Sequence, residues 1–132
     1  TKLPFDHHSI IGLVAPRAIL IIENDILWLG PQSSWSAANA ARMIWEALSV
    51  PDMMGYSLTT GHTHCSFPSS QQSEVNAYVQ RFLIGGAAGN TVVMRNDPGV
   101  TFDRARWVNW TPEILVRIRR PYLSSQLLKP AE

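Results

Sequence analysis

Residues 18–25 read Ala18-Ile19-Leu20-Ile21-Ile22-Glu23-Asn24-Asp25, five apolar residues in a row followed by an abrupt polar break. A run with no alternation suits a strand covered on both faces, as in a parallel sheet flanked by helices. Upstream, Asp6 is placed to cap a short helix with Ile10, Leu13 and Val14 on one face, closed by Pro16. Downstream, Trp28-Leu29-Gly30-Pro31 reads as a turn, and Ser33 or Ser34 is expected to cap a helix running to about Leu48. Trp35, Ala38, Ala41, Ile44, Trp45 and Leu48 recur along it at helical spacing. Pro51-Asp52 breaks the chain, Met53 to Leu58 reads as a second strand, and Thr59 to Phe67 is a loop rich in His and Gly. Ser69 with Gln72 three residues on has the form of a capping box. It opens a helix carrying Val75, Tyr78, Val79, Phe82 and Leu83 on one face, ending at Gly85-Gly86.

Strands alternating with helices mean βαβ units and a parallel sheet, so the fold class is α/β. Two strands leave edges open on both sides, and the helix faces at Trp45 and Phe82 are expected to lack partners. From Ala87 the chain reads as irregular, with Asn96-Asp97-Pro98-Gly99 a turn, Trp107 and Trp110 packing anchors, and Arg117, Arg119 and Arg120 in a solvated terminus.

The 132 residues amount to one domain at most. A 45% hydrophobic content with five Trp supports a core and argues against disorder. A net charge of +1 leaves no electrostatic footprint for nucleic acid or an acidic membrane surface. No apolar run is long enough to span a bilayer, and no leader pattern is present. An opening Thr1 rather than Met points to a processed or truncated product. The single cysteine, Cys65, excludes an internal disulfide and a Cys-only zinc site. It reads as a small buried apolar group or as half of a bridge to a cysteine outside the chain.

In doubly wound sheets, catalytic groups gather at the carboxyl ends of the strands. Glu23 sits just after the first strand and His64 in the loop after the second, the order of the acid and histidine in an α/β-hydrolase triad. There an imidazole takes the nucleophile's proton and a carboxylate fixes its tautomer. From spacing alone the plainer reading, a strand-end polar residue and an ordinary loop histidine, stands ahead. No Gly-x-Ser-x-Gly elbow occurs, and serines such as Ser33, Ser34, Ser69, Ser70, Ser124 and Ser125 fall in caps and loops, so the nucleophile is missing. His7, His8, His62, His64 and Cys65, with Asp6 and Glu23, are conceivable metal ligands. No His-Glu-x-x-His helix or paired cysteine motif accompanies them, and no metal is assigned. Trp28, in a turn near the acid, offers a flat apolar face and one N–H donor, a combination suited to a sugar ring; the plainer reading is a packing indole.

A series of words along the chain is more specific than any of these: Leu3-Pro4-Phe5-Asp6-His7-His8, Ala15-Pro16-Arg17-Ala18, Glu23-Asn24 with Trp28-Leu29-Gly30, and Gly61-His62-Thr63-His64-Cys65-Ser66-Phe67-Pro68-Ser69-Ser70-Gln71-Gln72. With Thr101-Phe102-Asp103 and Trp107-Val108-Asn109-Trp110-Thr111, it resembles the C-terminal part of the glucuronoyl esterases, carbohydrate esterase family 15. The resemblance implies that residues 1–111 are the C-terminal portion of an α/β-hydrolase three-layer sandwich with a mostly parallel sheet, and that 112–132 are a tail without family likeness. It implies a serine esterase without cofactor, acting on the ester between 4-O-methyl-glucuronic acid of glucuronoxylan and lignin alcohols. It makes His64 the catalytic histidine and Trp28 a glucuronate contact, and pairs Cys65 with a cysteine beside the nucleophile in the missing half. The triad acid is Glu23 or a glutamate from an earlier strand, since members differ. A secreted or periplasmic parent follows, and the chain alone is expected to be inactive. The alternatives are a non-catalytic carbohydrate-binding remnant and a metal site built from His7, His8, His62 and His64.

Overall fold

The computed structural model describes residues 5–87 and 89–115. Its elements run α1 (His7–Gly12), β1 (Ile19–Asn24), α2 (Pro31–Ala47), β2 (Met54–Thr59), α3 (Gln72–Val79), β3 (Met94–Asn96) and α4 (Arg104–Trp107). Among the described residues the sheet has three strands in the order β1-β2-β3. Both pairings are parallel, with Ile19 opposite Met54, Asn24 opposite Thr59, and Ser57 opposite Arg95. The region from Ala87 onward therefore contributes a strand where the sequence reading expected irregular chain, and β2 becomes the centre of the sheet.

Central placement accounts for β2, all six residues of which are buried. Side chains alternate across a strand. Met54, Tyr56 and Leu58 accordingly enter one core with Trp35, Ala38, Ala41 and Trp45 of α2, and Ile19 and Ile21 of β1 pack on it from the same face. Gly55 and Ser57 face the other way, where Tyr78 and Gln71 meet them. Helices thus cover both faces of a parallel sheet, the arrangement that an unbroken apolar strand requires.

Trp45, expected to lack a partner, is fully buried, and its indole N–H donates to the Arg17 carbonyl at 3.1 Å. Burying about 150–250 Å² of indole at about 25 cal/mol per Å² is worth roughly 4–6 kcal/mol as an upper estimate. Phe82 packs on Tyr78, ring centroids 5.3 Å apart. Gly55 is required by close approach, because a Cβ there would stand 2.5 Å from the Tyr78 hydroxyl oxygen.

Several local expectations are corrected. Asp6 does cap α1, accepting from the His7 N–H at 2.6 Å, but Ile11 and Val14 face the core while Ile10 and Leu13 are exposed. The six-residue helix is too short for its apolar spacing to fix a single buried stripe. Helix α2 starts at Pro31, not at a serine cap, because Gly30 at φ 75° turns the chain in the left-handed region just before it. Ser69 forms no capping box; Ser69–Gln71 is a 3-10 turn leading into α3. The last turn of that helix widens to a π turn over Gln80–Ile84, which leaves Leu83 solvent-exposed. Trp107 is exposed, stacked under the Arg106 guanidinium at 4.6 Å, while Trp110 is half-buried against the His8 ring. Arg117, Arg119 and Arg120 lie outside the described residues.

Candidate active site

Parallel strands bring their carboxyl ends to one edge of the sheet, and three loops meet there. After β1, the Asn24 side chain accepts from the Ile26 N–H at 3.0 Å and turns the chain sharply. A 3-10 turn over Leu27–Leu29 follows, closed by Gly30. It presents Trp28 to solvent, 73% exposed. Residue type alone favours a packing indole at this position, and the exposed turn corrects that expectation.

The loop after β2 turns at Gly61, φ 77°, and carries His62, His64 and Cys65. His62 stitches it internally, its Nδ1 at 3.0 Å from the Ser66 carbonyl oxygen and 3.2 Å from that of Thr63. The His62 Nε2 is buried without a partner among the described residues. His64 is exposed, with Nδ1 3.1 Å from the Cys65 sulfur. Its ring meets Trp28 at a centroid distance of 5.1 Å and an interplanar angle of 43°. Cys65 is exposed and free, contrary to the buried-thiol reading.

Glu23 lies inside β1, one residue before its end, rather than after it. It pairs with Leu58 and shares the strand face of Ile21, the face toward α2. Its Oε1 accepts from the Asn24 N–H at 2.9 Å, and no hydrogen bond joins it to His64 among the described residues. Its charge bears on Tyr56: burial pushes that phenol up to about 12, and Glu23 adds to the rise.

Nothing in the sequence reading singled out the group that holds the histidine loop. Arg95 and Asp97, two apart at the end of β3, project on one side of the strand. The Arg95 Nε donates to Asp97 Oδ1 and Oδ2 at 2.9 Å, and Nη2 donates to Asp97 Oδ2 at 2.6 Å. Nη2 also donates to the Thr59 hydroxyl at 3.2 Å, and Nη1 to the Ser70 carbonyl at 2.8 Å. The Thr59 hydroxyl donates to Asp97 at 2.7 Å. These contacts hold the Asp97 carboxyl below the usual carboxylate range. Buried Gln71 supports the same corner, its amide donating to the Ser57 carbonyl at 2.9 Å and hydroxyl at 3.0 Å. The only sequence signal was the Arg-x-Asp spacing, which carries meaning only once β3 is known to exist.

The candidate metal ligands do not converge: among the described residues no group of three or more His, Cys, Asp or Glu side chains lies within reach of one ion. His7 and His8 sit at the start of α1 against Asp6 and Trp110 respectively. A cavity of about 640 Å³ opens near them, between the starts of α1 and α2, lined by Ile11, Ser33, Tyr56 and Trp107 among others; none of Glu23, Trp28 or His64 lines it.

Residues 1–49 match a family model described as glucuronyl esterase, fungi. The chain is 48% identical over 113 residues to the 4-O-methyl-glucuronoyl methylesterase of Hypocrea jecorina, covering 86% of this chain and 24% of that protein. It is 47% identical to that of Podospora anserina, covering 84% of this chain and 23% of that protein. Its backbone superposes on the glucuronoyl esterase catalytic domain from Hypocrea jecorina with a TM-score of 0.81 at 46% identity, over 86% of this chain and 31% of that one. A variant of the Sporotrichum thermophile glucuronoyl esterase, solved with methyl 4-O-methyl-β-D-glucopyranuronate, gives a TM-score of 0.74 at 41% identity, over 81% and 28%. The chain thus spans about a quarter of the length of the curated relatives it matches. These neighbours identify the parallel sheet and its flanking helices as part of an α/β-hydrolase fold. By sequence and by backbone, most of the chain is similar to a part of the glucuronoyl esterases.

Proposed function

We propose that this chain supplies the histidine-bearing part of a glucuronoyl esterase, a serine hydrolase cleaving the ester between 4-O-methyl-glucuronic acid of glucuronoxylan and lignin alcohols. The observation that carries the reading is the pairing of exposed Trp28 with exposed His64 at the carboxyl edge of the sheet. An indole beside an imidazole joins a surface for a sugar ring to a proton carrier. In this reading a serine outside these residues attacks the uronate carbonyl and His64 accepts its proton. His64 then protonates the departing alkoxide, and water completes the cycle by the same route. Glu23 or a glutamate from another strand orients the imidazole. Exposed Cys65 is free to bridge to a cysteine near the serine, which suits a secreted protein.

The test is His64→Ala in the protein that joins this segment to its serine, assayed on a methyl ester of 4-O-methyl-glucuronate. Loss of a triad member lowers kcat by about 10⁴–10⁶-fold, and near-normal turnover would sink the assignment. The 132-residue chain alone is expected to show no turnover. Saturable binding of the ester to that chain would support the carbohydrate-binding reading.

A further inference from the structure

We propose that Arg95 is a positioning residue for His64, one guanidinium closing both ends of the loop that carries the imidazole. The inference rests on His64 being the proton carrier; the clamp itself stands on geometry.

The loop leaves the sheet at Thr59 and rejoins the fold at Ser70. Between these points the described hydrogen bonds are internal stitches, the His62 ring on the Ser66 carbonyl and the Ser66 N–H on the Thr63 carbonyl at 3.1 Å, and the His64 ring packs on Trp28. Internal stitches shape a loop without fixing where it stands. Gln71 ties the far end of the loop to Ser57, and Arg95 adds the direct grip across both ends, holding the Thr59 hydroxyl with one terminal nitrogen and the Ser70 carbonyl with the other. Asp97 fixes the guanidinium plane by accepting from Nε and Nη2, and Glu74 lies 3.7 Å from Nη1 on the far side. A planar fork with several fixed donors can hold three partners at once, which a lysine ammonium on a flexible stem cannot do in the same geometry. With both ends fixed, the His64 ring is held against Trp28. A catalytic base misplaced by about 1 Å loses rate on the order of a hundredfold, so an anchor of this kind has consequence for chemistry at a distance.

The experiment is NMR on the 132-residue chain, reading the nuclear Overhauser cross-peak between the His64 ring and the Trp28 indole. The buried Trp45 indole N–H reports the integrity of the core. Arg95→Lys keeps the charge and loses the fork; Asp97→Asn keeps the shape and loosens it. We expect the His64–Trp28 cross-peak to be lost in Arg95→Lys and weakened in Asp97→Asn, while the Trp45 resonance stays in place. A cross-peak unchanged in Arg95→Lys would overturn the proposal. Collapse of the Trp45 resonance in both variants would also overturn it, by making Arg95 a determinant of the whole fold rather than of the loop. The cross-peak reads placement and not turnover, so an active His64→Ala enzyme would refute the functional reading and leave this result standing.

Discussion

Substituting Gly55 with Ala tests whether helix α3 is seated by direct contact with the floor of the sheet. The new methyl would stand 2.5 Å from the Tyr78 hydroxyl oxygen and 3.0 Å from both Tyr78 Cζ and Leu20 Cδ1. Ordinary contact begins at 3.4 Å, so the tyrosine must retreat by about 0.9 Å. That movement carries the hydroxyl away from the Thr91 carbonyl, to which it donates at 3.0 Å inside the core. Overpacking of this kind costs about 1–3 kcal/mol, and a buried carbonyl left unpaired adds about 1–3 kcal/mol. Allowing for partial relaxation, Gly55→Ala should destabilise the chain by roughly 2–4 kcal/mol. Tyr78→Phe removes the hydroxyl and leaves the same carbonyl unpaired, so it should cost about 1–3 kcal/mol. The double variant has no hydroxyl to displace, so its loss should fall short of the sum by at least about 1 kcal/mol. Urea unfolding followed by tryptophan fluorescence measures all three. Additivity within about 0.5 kcal/mol would show that the two positions are energetically independent and refute the seating argument.

Ser34→Ala removes the 2.7 Å partner of the buried Tyr56 hydroxyl; it should cost about 1–3 kcal/mol by chemical denaturation. It should also drive that phenol's ionisation higher, since the Ser34 contact pulls it down. Tyr56 and Tyr78 are both pushed up to about 12 by burial, so the folded chain keeps protons that the unfolded chain releases near 10. Stability is therefore complete below about 10 and drains as pH rises toward 12. Their tyrosinate absorbance should appear together with loss of circular dichroism, and ionisation of an intact fold near 10 would contradict the burial. Asp97 shifts the other way, chiefly because Arg95 and Thr59 donate to it. Its contribution is present above the ordinary value of 3.8 and is lost only as pH falls through a lower one. Carbon NMR of the carboxyl should show a midpoint below 3.8, and one at or above it would mean that the clamp is open in solution.

Strands β1 and β2 were legible because each is an apolar run with a consequence at every residue. Ile19 to Ile22 had to be covered on both faces, and Met54 to Leu58 needed a similar shelter. Strand β3 was not legible: Met94-Arg95-Asn96 is three residues long, polar in its last two, and borrows its identity from the edge of β2. Helix starts were misread where backbone conformation, not a side chain, ends the preceding segment, as at Gly30 before α2. At the candidate site, residue types drew attention to Trp28 and His64, which the fold brings together. The same reading set Glu23 beside the histidine in chain order. The structure places it one residue inside β1 rather than after it, on the face toward α2, a shift of a residue or two in the strand boundary. Arg95 stayed hidden because its partners, Thr59 and Ser70, are distant in sequence and chemically ordinary.

The clamp also imposes an order in time. Thr59 precedes Arg95 by 36 residues and Ser70 precedes it by 25. During synthesis His64 leaves the ribosome well before the guanidinium that anchors its loop. Until β3 has emerged and docked on β2, the nascent chain has the Gln71 bonds to Ser57 and the Trp28 ring to steady the loop, while the guanidinium that bridges its two ends is still missing. The clamp is thus completed later than the loop it holds, so a nascent chain halted before Arg95 would have made every residue of the histidine loop without the guanidinium that bridges its two ends.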